Sequence, residues 1–307
     1  MADSRFGHRH ASKLFLAGTL SLLSACGNSE ERQTFSAETD QELEQVLPLV
    51  RPGDVLTRGA ITLVVPPEGE GLHMEALYAD GRARELTVAT GMDGKVALVR
   101  STPSVQAAGY RAMGACSDGA YNLSGFKWRE TYNWYFNAGS TPAELTVSGA
   151  EDKLRAAASN ITGGQNDCGL TDAINASHNY QGRTSRSVDC GDASRDGVNV
   201  VGFGDLGSGV LGVACTRYNP DTNTAFESDI RLNKVDFTWT LHSEDPSCSN
   251  RFGVEAVATH EFGHVFGLGH VSEADHPYLT MSTAVAPCNA SAATLGLGDV
   301  RGLRALY

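Results

Sequence analysis

The chain has 307 residues, 41% of them hydrophobic and 20% charged, with a formal net charge of −12 at pH 7. That is room for one large domain or two modest ones, and the composition excludes a disordered chain. No run of Lys or Arg is long enough to track a phosphate backbone, so nucleic acid is excluded as a partner.

At the N-terminus Arg5, Arg9 and Lys13 precede and flank an apolar run over 14–23. The run is too short to span a bilayer and has the length of a signal-peptide core. It ends in Leu23-Ser24-Ala25-Cys26, which resembles a bacterial lipobox. Residues 1–25 are therefore expected to be removed and Cys26 to be lipidated, the alternative being an ordinary signal peptide with a chance Cys. The expected product is an exported lipoprotein held to a membrane by its lipid anchor, at the outer membrane or cell surface or released from there extracellularly. Six cysteines remain, Cys116, Cys168, Cys190, Cys215, Cys248 and Cys288. An even set in an exported chain implies disulfides, with 15 pairings open. Cys168 with Cys190 is the one pair expected, because both lie in a single stretch rich in Gly, Asn, Asp and Ser.

Residues 26–40 are polar and read as a tether. A short helix is expected over 41–47, stopped by Pro48. Four β-type runs follow at 60–65, 74–78, 85–88 and 95–99, separated by Pro66-Pro67-Glu68-Gly69, Asp80-Gly81 and Met92-Asp93-Gly94. The stretch 41–105 thus reads as a small, mostly antiparallel module or propeptide without a catalytic constellation. A different organisation occupies 106–307. An aromatic-rich strand is expected over 126–136. Ser148-Gly149-Ala150-Glu151 reads as a capping box, followed by Ala150, Leu154, Ala157, Ala158 and Ile161 at helical spacing until Gly163-Gly164. A long loop is expected to about 196. Strands follow near 198–203, 210–215, 230–232 and 235–239, then helices over about 250–266 and 299–306.

The chemistry lies in His260-Glu261-Phe262-Gly263-His264-Val265-Phe266-Gly267-Leu268-Gly269-His270. Helical residues four apart differ by only about 40° around the axis and about 6 Å along it, so His260 and His264 can reach one metal. Glu261 lies about 60° from His264, placed to act as general base toward a metal-bound water without ligating the ion. Gly267 suits a left-handed helix end, after which the chain turns back and His270 supplies a third ligand. Three ligands leave one coordination position open, the mark of a catalytic rather than a structural zinc. The five fixed letters of this pattern arise by chance in about 10⁻⁵ to 10⁻⁴ of chains of this composition.

The pattern H-E-x-x-H-x-x-G-x-x-H resembles that of the metzincin zinc proteases, whose second mark is a Met-containing turn. Met281 is the only Met after His270 and fits that role. Within the clan the chain resembles the matrixins, on the strength of Trp239 before the active-site helix and of the ending Asp299-Val300-Arg301-Gly302-Leu303-Arg304-Ala305-Leu306-Tyr307. The resemblance is strong over 250–307 and loose from 116. It implies an α+β fold, a twisted mixed sheet with an active-site helix and a C-terminal helix, one catalytic Zn2+, and a protein or peptide substrate. Three departures stand out. No Tyr lies two residues beyond Met281, no His-x-Asp cluster occurs between 165 and 245 to hold a second zinc, and the latency motif P-R-C-G-x-P-D is missing. Asp192, Asp196, Asp205 and Asp229 offer oxygen ligands for Ca2+, although loop carboxylates are more often solvated. The competing readings are another metzincin family, and a zinc-containing surface adhesion or binding lipoprotein with incidental or no proteolysis. Intact Glu261 weighs against the latter.

Overall fold

The structure is a computed structural model that describes residues 32–100, 102–103, 113–171, 174–191 and 195–307. Cys26, the signal segment and Asp192 lie outside the described residues. The N-terminal part contains β1 (Thr34–Ser36), α1 (Asp40–Val46), β2 (Val55–Arg58), β3 (Ile61–Val64), β4 (Gly71–Tyr78), β5 (Ala83–Thr90) and β6 (Val96–Leu98). Then come β7 (Tyr132–Asn137), α2 (Val147–Thr162), β8 (His178–Thr184), β9 (Asn199–Gly204), β10 (Val210–Asn219) and β11 (Thr224–Asn233). Two helices close the chain, α3 (Val254–Val265) and α4 (Leu297–Leu306).

A nine-stranded sheet runs in the order β8-β7-β9-β11-β10-β4-β5-β6, with Lys127–Trp128 added alongside β11. The pairs from β8 to β11 are parallel, and those from β11 through β10 to β6 are antiparallel. The fold is the mixed α+β arrangement expected. Strand β7 shows how one face becomes the core: Tyr132, Trp134 and Phe136 are fully buried while Asn133 between them is exposed. Helix α2 covers this face with Ala150, Leu154, Ala157, Ala158 and Ile161, and Trp134 meets Phe262 of α3 edge-on at 5.5 Å between ring centroids.

Several expectations need correction. Residues 32–307 form one compact unit, so the boundary near 105 does not separate two bodies. Strand β4 pairs antiparallel with β10 from Tyr78 opposite Val210 to Gly71 opposite Tyr218. All eight of its residues are buried, and a strand apolar or buried on both faces needs covering on both. Leu72, Met74, Ala76 and Tyr78 enter a second core with Leu56, Ile61 and Leu63, while Leu77 joins the main one. The tether is shorter than expected, because Thr34–Ser36 already pairs with β2. Helix α2 starts earlier than its capping box: Thr146 Oγ1 accepts from Gly149 N at 3.2 Å, and Glu151 instead accepts from Tyr180 Oη at 2.9 Å. The expected loop to 196 contains β8, an edge strand of polar residues. Its half-buried, half-exposed alternation carries no apolar signal.

The disulfides are Cys116–Cys168, Cys190–Cys215 and Cys248–Cys288, so the expected Cys168–Cys190 pair is wrong. Closeness within a loop-rich stretch was the only ground for it. The strand crossovers instead bring Cys190 to β10 and leave Cys168 beside Cys116.

Candidate active site

Helix α3 is buried along nearly its whole length, and His260, Glu261 and His264 have no solvent exposure. It ends as the motif requires. Gly267 takes φ +88°, and a Cβ there would lie 2.3 Å from the Phe126 carbonyl oxygen. Only glycine makes this turn without strain. Beyond it, Leu268–Gly269 pairs antiparallel with Asn122–Leu123. Ser124 N donates to Gly267 O at 2.9 Å, and Asn122 Nδ2 donates to His270 O at 2.5 Å. This strap carries His270 back over the helix.

The three histidines converge. His260 Nε2 lies 3.0 Å from both His264 Nε2 and His270 Nε2, and the last two are 3.2 Å apart. His260 Nδ1 donates to Thr280 O and His264 Nδ1 to Leu268 O, each at 2.8 Å. Burial lowers the pKa of both rings, that of His264 to about 3, so both are neutral. A neutral imidazole that donates through Nδ1 presents a bare lone pair at Nε2. Lone pairs this close repel unless a cation lies between them. Two nitrogens about 2.0–2.1 Å from a tetrahedral zinc would stand about 3.3 Å apart, close to the spacing here. The residues fit a zinc ion. The second-layer carbonyls that orient the rings also match what metal-bound histidines use.

Glu261 lies against the backbone of β10: a Cβ on Gly212 would be 2.4 Å from Glu261 Oε1. Position 212 thus has to be glycine for the carboxylate to sit there. Burial, and secondarily the nearby Glu75 charge, push the Glu261 carboxyl well above its ordinary range. Met281 is buried with its sulfur beneath Gly263 of α3, as the Met-turn reading expects. The turn is fixed from below by Asp299, which accepts from Thr280 N at 2.9 Å, Met281 N at 3.2 Å and Gly296 N at 2.8 Å. Asp299 therefore positions His260 through the Thr280 carbonyl. Val271 N donates to Met281 O at 2.9 Å, closing the loop between the third histidine and the turn.

Sequence reasoning missed one residue of the site. Glu75, from the N-terminal region expected to lack any part of the chemistry, is fully buried. Its Oε2 lies 3.5 Å from His264 Nε2 and touches His270 Nδ1. Its other oxygen, Oε1, lies 3.3 Å from His73 Nε2, whereas the oxygens of Glu261 receive no hydrogen bond. Two buried carboxylates beside three converging imidazole nitrogens call for positive charge. No spacing signal could have found Glu75, since only the β4–β10 register brings it here. The calcium candidates do not converge. Asp229 accepts from Val200 N at 2.5 Å and Asp189 N at 3.0 Å, Asp196 pairs with Arg186 at 2.7 Å, and Asp205 is exposed. Among the described residues, groups able to hold a metal occur at His260, His264 and His270, and at His73, Glu75 and Glu85.

Residues 204–307 match the matrixin family, Peptidase_M10. A protein named Metalloendoproteinase 4-MMP, from Arabidopsis thaliana, is 34% identical over 107 residues. That similarity covers 34% of this chain and 28% of the plant protein's length. The matched part of this chain contains all three histidines, Glu261, Met281 and Asp299, and not Glu75.

Proposed function

We propose that the chain is a zinc-dependent endopeptidase that hydrolyses peptide bonds of extracytoplasmic proteins. The observation that carries this reading is the convergence of three imidazole Nε2 atoms within 3.0–3.2 Å of one another, with Glu261 buried beside them. The match to matrixins over the same residues supports it. His260, His264 and His270 would hold the metal, which when bound supplies Lewis acidity toward a carbonyl and a water molecule. Glu261 takes a proton from the attacking water and passes it to the departing amine. Its carboxylate is held against Gly212 on one side and carried rigidly by α3 on the other, so this proton transfer needs no large motion. Thr280 O and Leu268 O keep two ligand rings in the tautomer that binds metal.

The test is Glu261→Gln, which keeps the shape of the side chain and removes the base. Because Glu75 lies against two ligands, the assay is run on the natural chain and again with Glu75→Gln. Zinc content should stay near one per chain, while chelator-sensitive cleavage of a peptide library should fall by about 10²–10⁴-fold. Cleavage at the unaltered rate would remove Glu261 from the mechanism.

The same reading includes an envelope location with Cys26 lipidated. No helix among the described residues is long and apolar enough to cross a membrane, and three disulfides suit an oxidising compartment. Cys26→Ala should abolish lipidation and membrane association, and an unmodified mature N-terminus by mass spectrometry would reject the anchor.

A further inference from the structure

We propose that His73, Glu75 and Glu85 form a second metal site, separate from the three histidines, that takes a hard divalent cation of the Mn2+ class. The inference goes beyond the peptidase reading and does not depend on it.

Strand register builds the site. Strands β4 and β5 run antiparallel, with His73 opposite Thr87 and Glu75 opposite Glu85. Residues two apart on a strand share a face, so these four side chains form one block on one face of the pair. Like charges directly opposite each other destabilise a sheet. Here Glu75 has no solvent exposure and the Glu85 side chain only 27%, so little water screens them. A sheet that keeps such a pair needs positive charge beside it.

His73 lies where that charge belongs. Its Nδ1 is bonded to Thr87 Oγ1 at 2.7 Å, and Thr87 Oγ1 donates to Glu85 Oε1 at 3.5 Å. A hydroxyl that gives its proton to Glu85 accepts from Nδ1–H, which leaves Nε2 to face Glu75. Nε2 stands 3.3 Å from Glu75 Oε1. That is longer than the about 2.7–2.9 Å of a charge-assisted hydrogen bond, and this fully buried Nε2 has no hydrogen-bond partner. Burial disfavours charge on the ring, yet Glu75 and Glu85 raise its pKa. Their field asks for a cation, either a proton or a metal ion.

Spacing and ligand chemistry favour the metal. One ligand atom from each of His73, Glu75 and Glu85 lies within 4.8 Å of the others. Donors around a six-coordinate ion stand about 3 Å apart when adjacent and about 4.5 Å when opposite. The three residues span such an ion and leave its other positions to water. One imidazole with two carboxylates suits a harder ion than three imidazoles do. Glu75 Oε2 is turned to His264 and His270, so Oε1 is the oxygen available here. Glu85 and Thr87 also line a surface cavity with Asp40, Arg58, Arg100 and Asn122, which gives an ion a way in. Arg58 is paired with Asp40, and Arg100 with Asp40 and Glu44, so the entrance is not left positive.

The full-length chain is given one equivalent of Zn2+ and gel-filtered. Mn2+ is then titrated while the free ion is followed by electron paramagnetic resonance. One Mn2+ per chain should bind with the zinc content unchanged. Glu85→Gln, at a partly exposed position, should weaken Mn2+ binding by about 10-fold or more and leave zinc in place. His73→Phe should do the same, and the imidazole nitrogen modulation in the pulsed spectrum of bound Mn2+ should disappear. His264→Ala should lose zinc and keep Mn2+. Absence of Mn2+ binding to the natural chain overturns the proposal and leaves a proton on His73 between the carboxylates. Equal affinity in the natural chain and Glu85→Gln, both folded by circular dichroism, overturns it as well. So does loss of Mn2+ from folded His264→Ala, which would place the ion at the three histidines. Peptide cleavage enters none of these outcomes, so the peptidase reading stands or falls separately.

Discussion

The C-terminal segment that carries the histidines and the N-terminal strand that carries Glu75 reach the same few ångströms by opposite routes. His260, Glu261 and His264 lie within five residues on one helix, and His270 follows after a single turn. Their geometry is almost entirely local. Glu75 stands 185 positions before His260 in the numbering, and its place depends on the register of two antiparallel strands. Local spacing makes a ligand set robust to changes elsewhere in the chain. A contact made by register can be broken by moving one strand.

The largest effect expected from breaking the local half of this comparison is His264→Ala. Two histidines cannot hold zinc tightly, so metal content should collapse together with chelator-sensitive activity. Atomic absorption on the dialysed variant measures it, and retention of one zinc per chain would mean that another group ligates. Losing Glu75 should instead leave one metal per chain. That contrast separates a ligand of the site from a residue that only touches its ligands.

A smaller effect is expected from the bridge around the local half. Cys248–Cys288 closes a loop with a sequence separation of 40 that contains α3 and the Met turn. Replacing both cysteines with Ala should lower stability by about 4 kcal/mol on loop-closure grounds. Chemical denaturation with metal present and absent reads this loss. Cys190–Cys215, with a separation of 25, lies where β10 meets the N-terminal core. Its removal should lower stability by about 3.5 kcal/mol, while thiol titration of the unreduced, denatured natural chain should find none of these six cysteines free.

A last expected effect concerns pH and the seam beneath β4. Asp229 lies in a small cavity shared with Leu72 of β4, Arg217 and Glu227. Burial raises its carboxyl from the ordinary 3.8 to about 8. The folded chain therefore binds a proton that the unfolded chain has released, and stability falls as pH rises from about 4 to about 8. Melting temperature should carry a component with that sign, and Asp229→Asn should flatten it. A slope unchanged in the variant would assign the pH dependence to other groups.

What the amino-acid order determined by itself is whatever depends on short spacing. The active-site helix, its three histidines, the left-handed Gly267, the buried Met281 and most strands were legible because helical and strand periods repeat within a few residues. Asp299 was visible as part of the C-terminal pattern, although its three bonds under the Met turn were not. Polar edge strand β8 escaped notice because nothing apolar marks its phase, and the true cap of α2 lay two residues before the recognised box. Only the tertiary structure decided which cysteines pair, that Asn122 and Ser124 strap the chain before His270, and that β4 continues the sheet of the metal site. Each of these depends on which strand lies beside which. Strand order is settled by the burial of whole faces across the molecule, a property that no window of sequence contains.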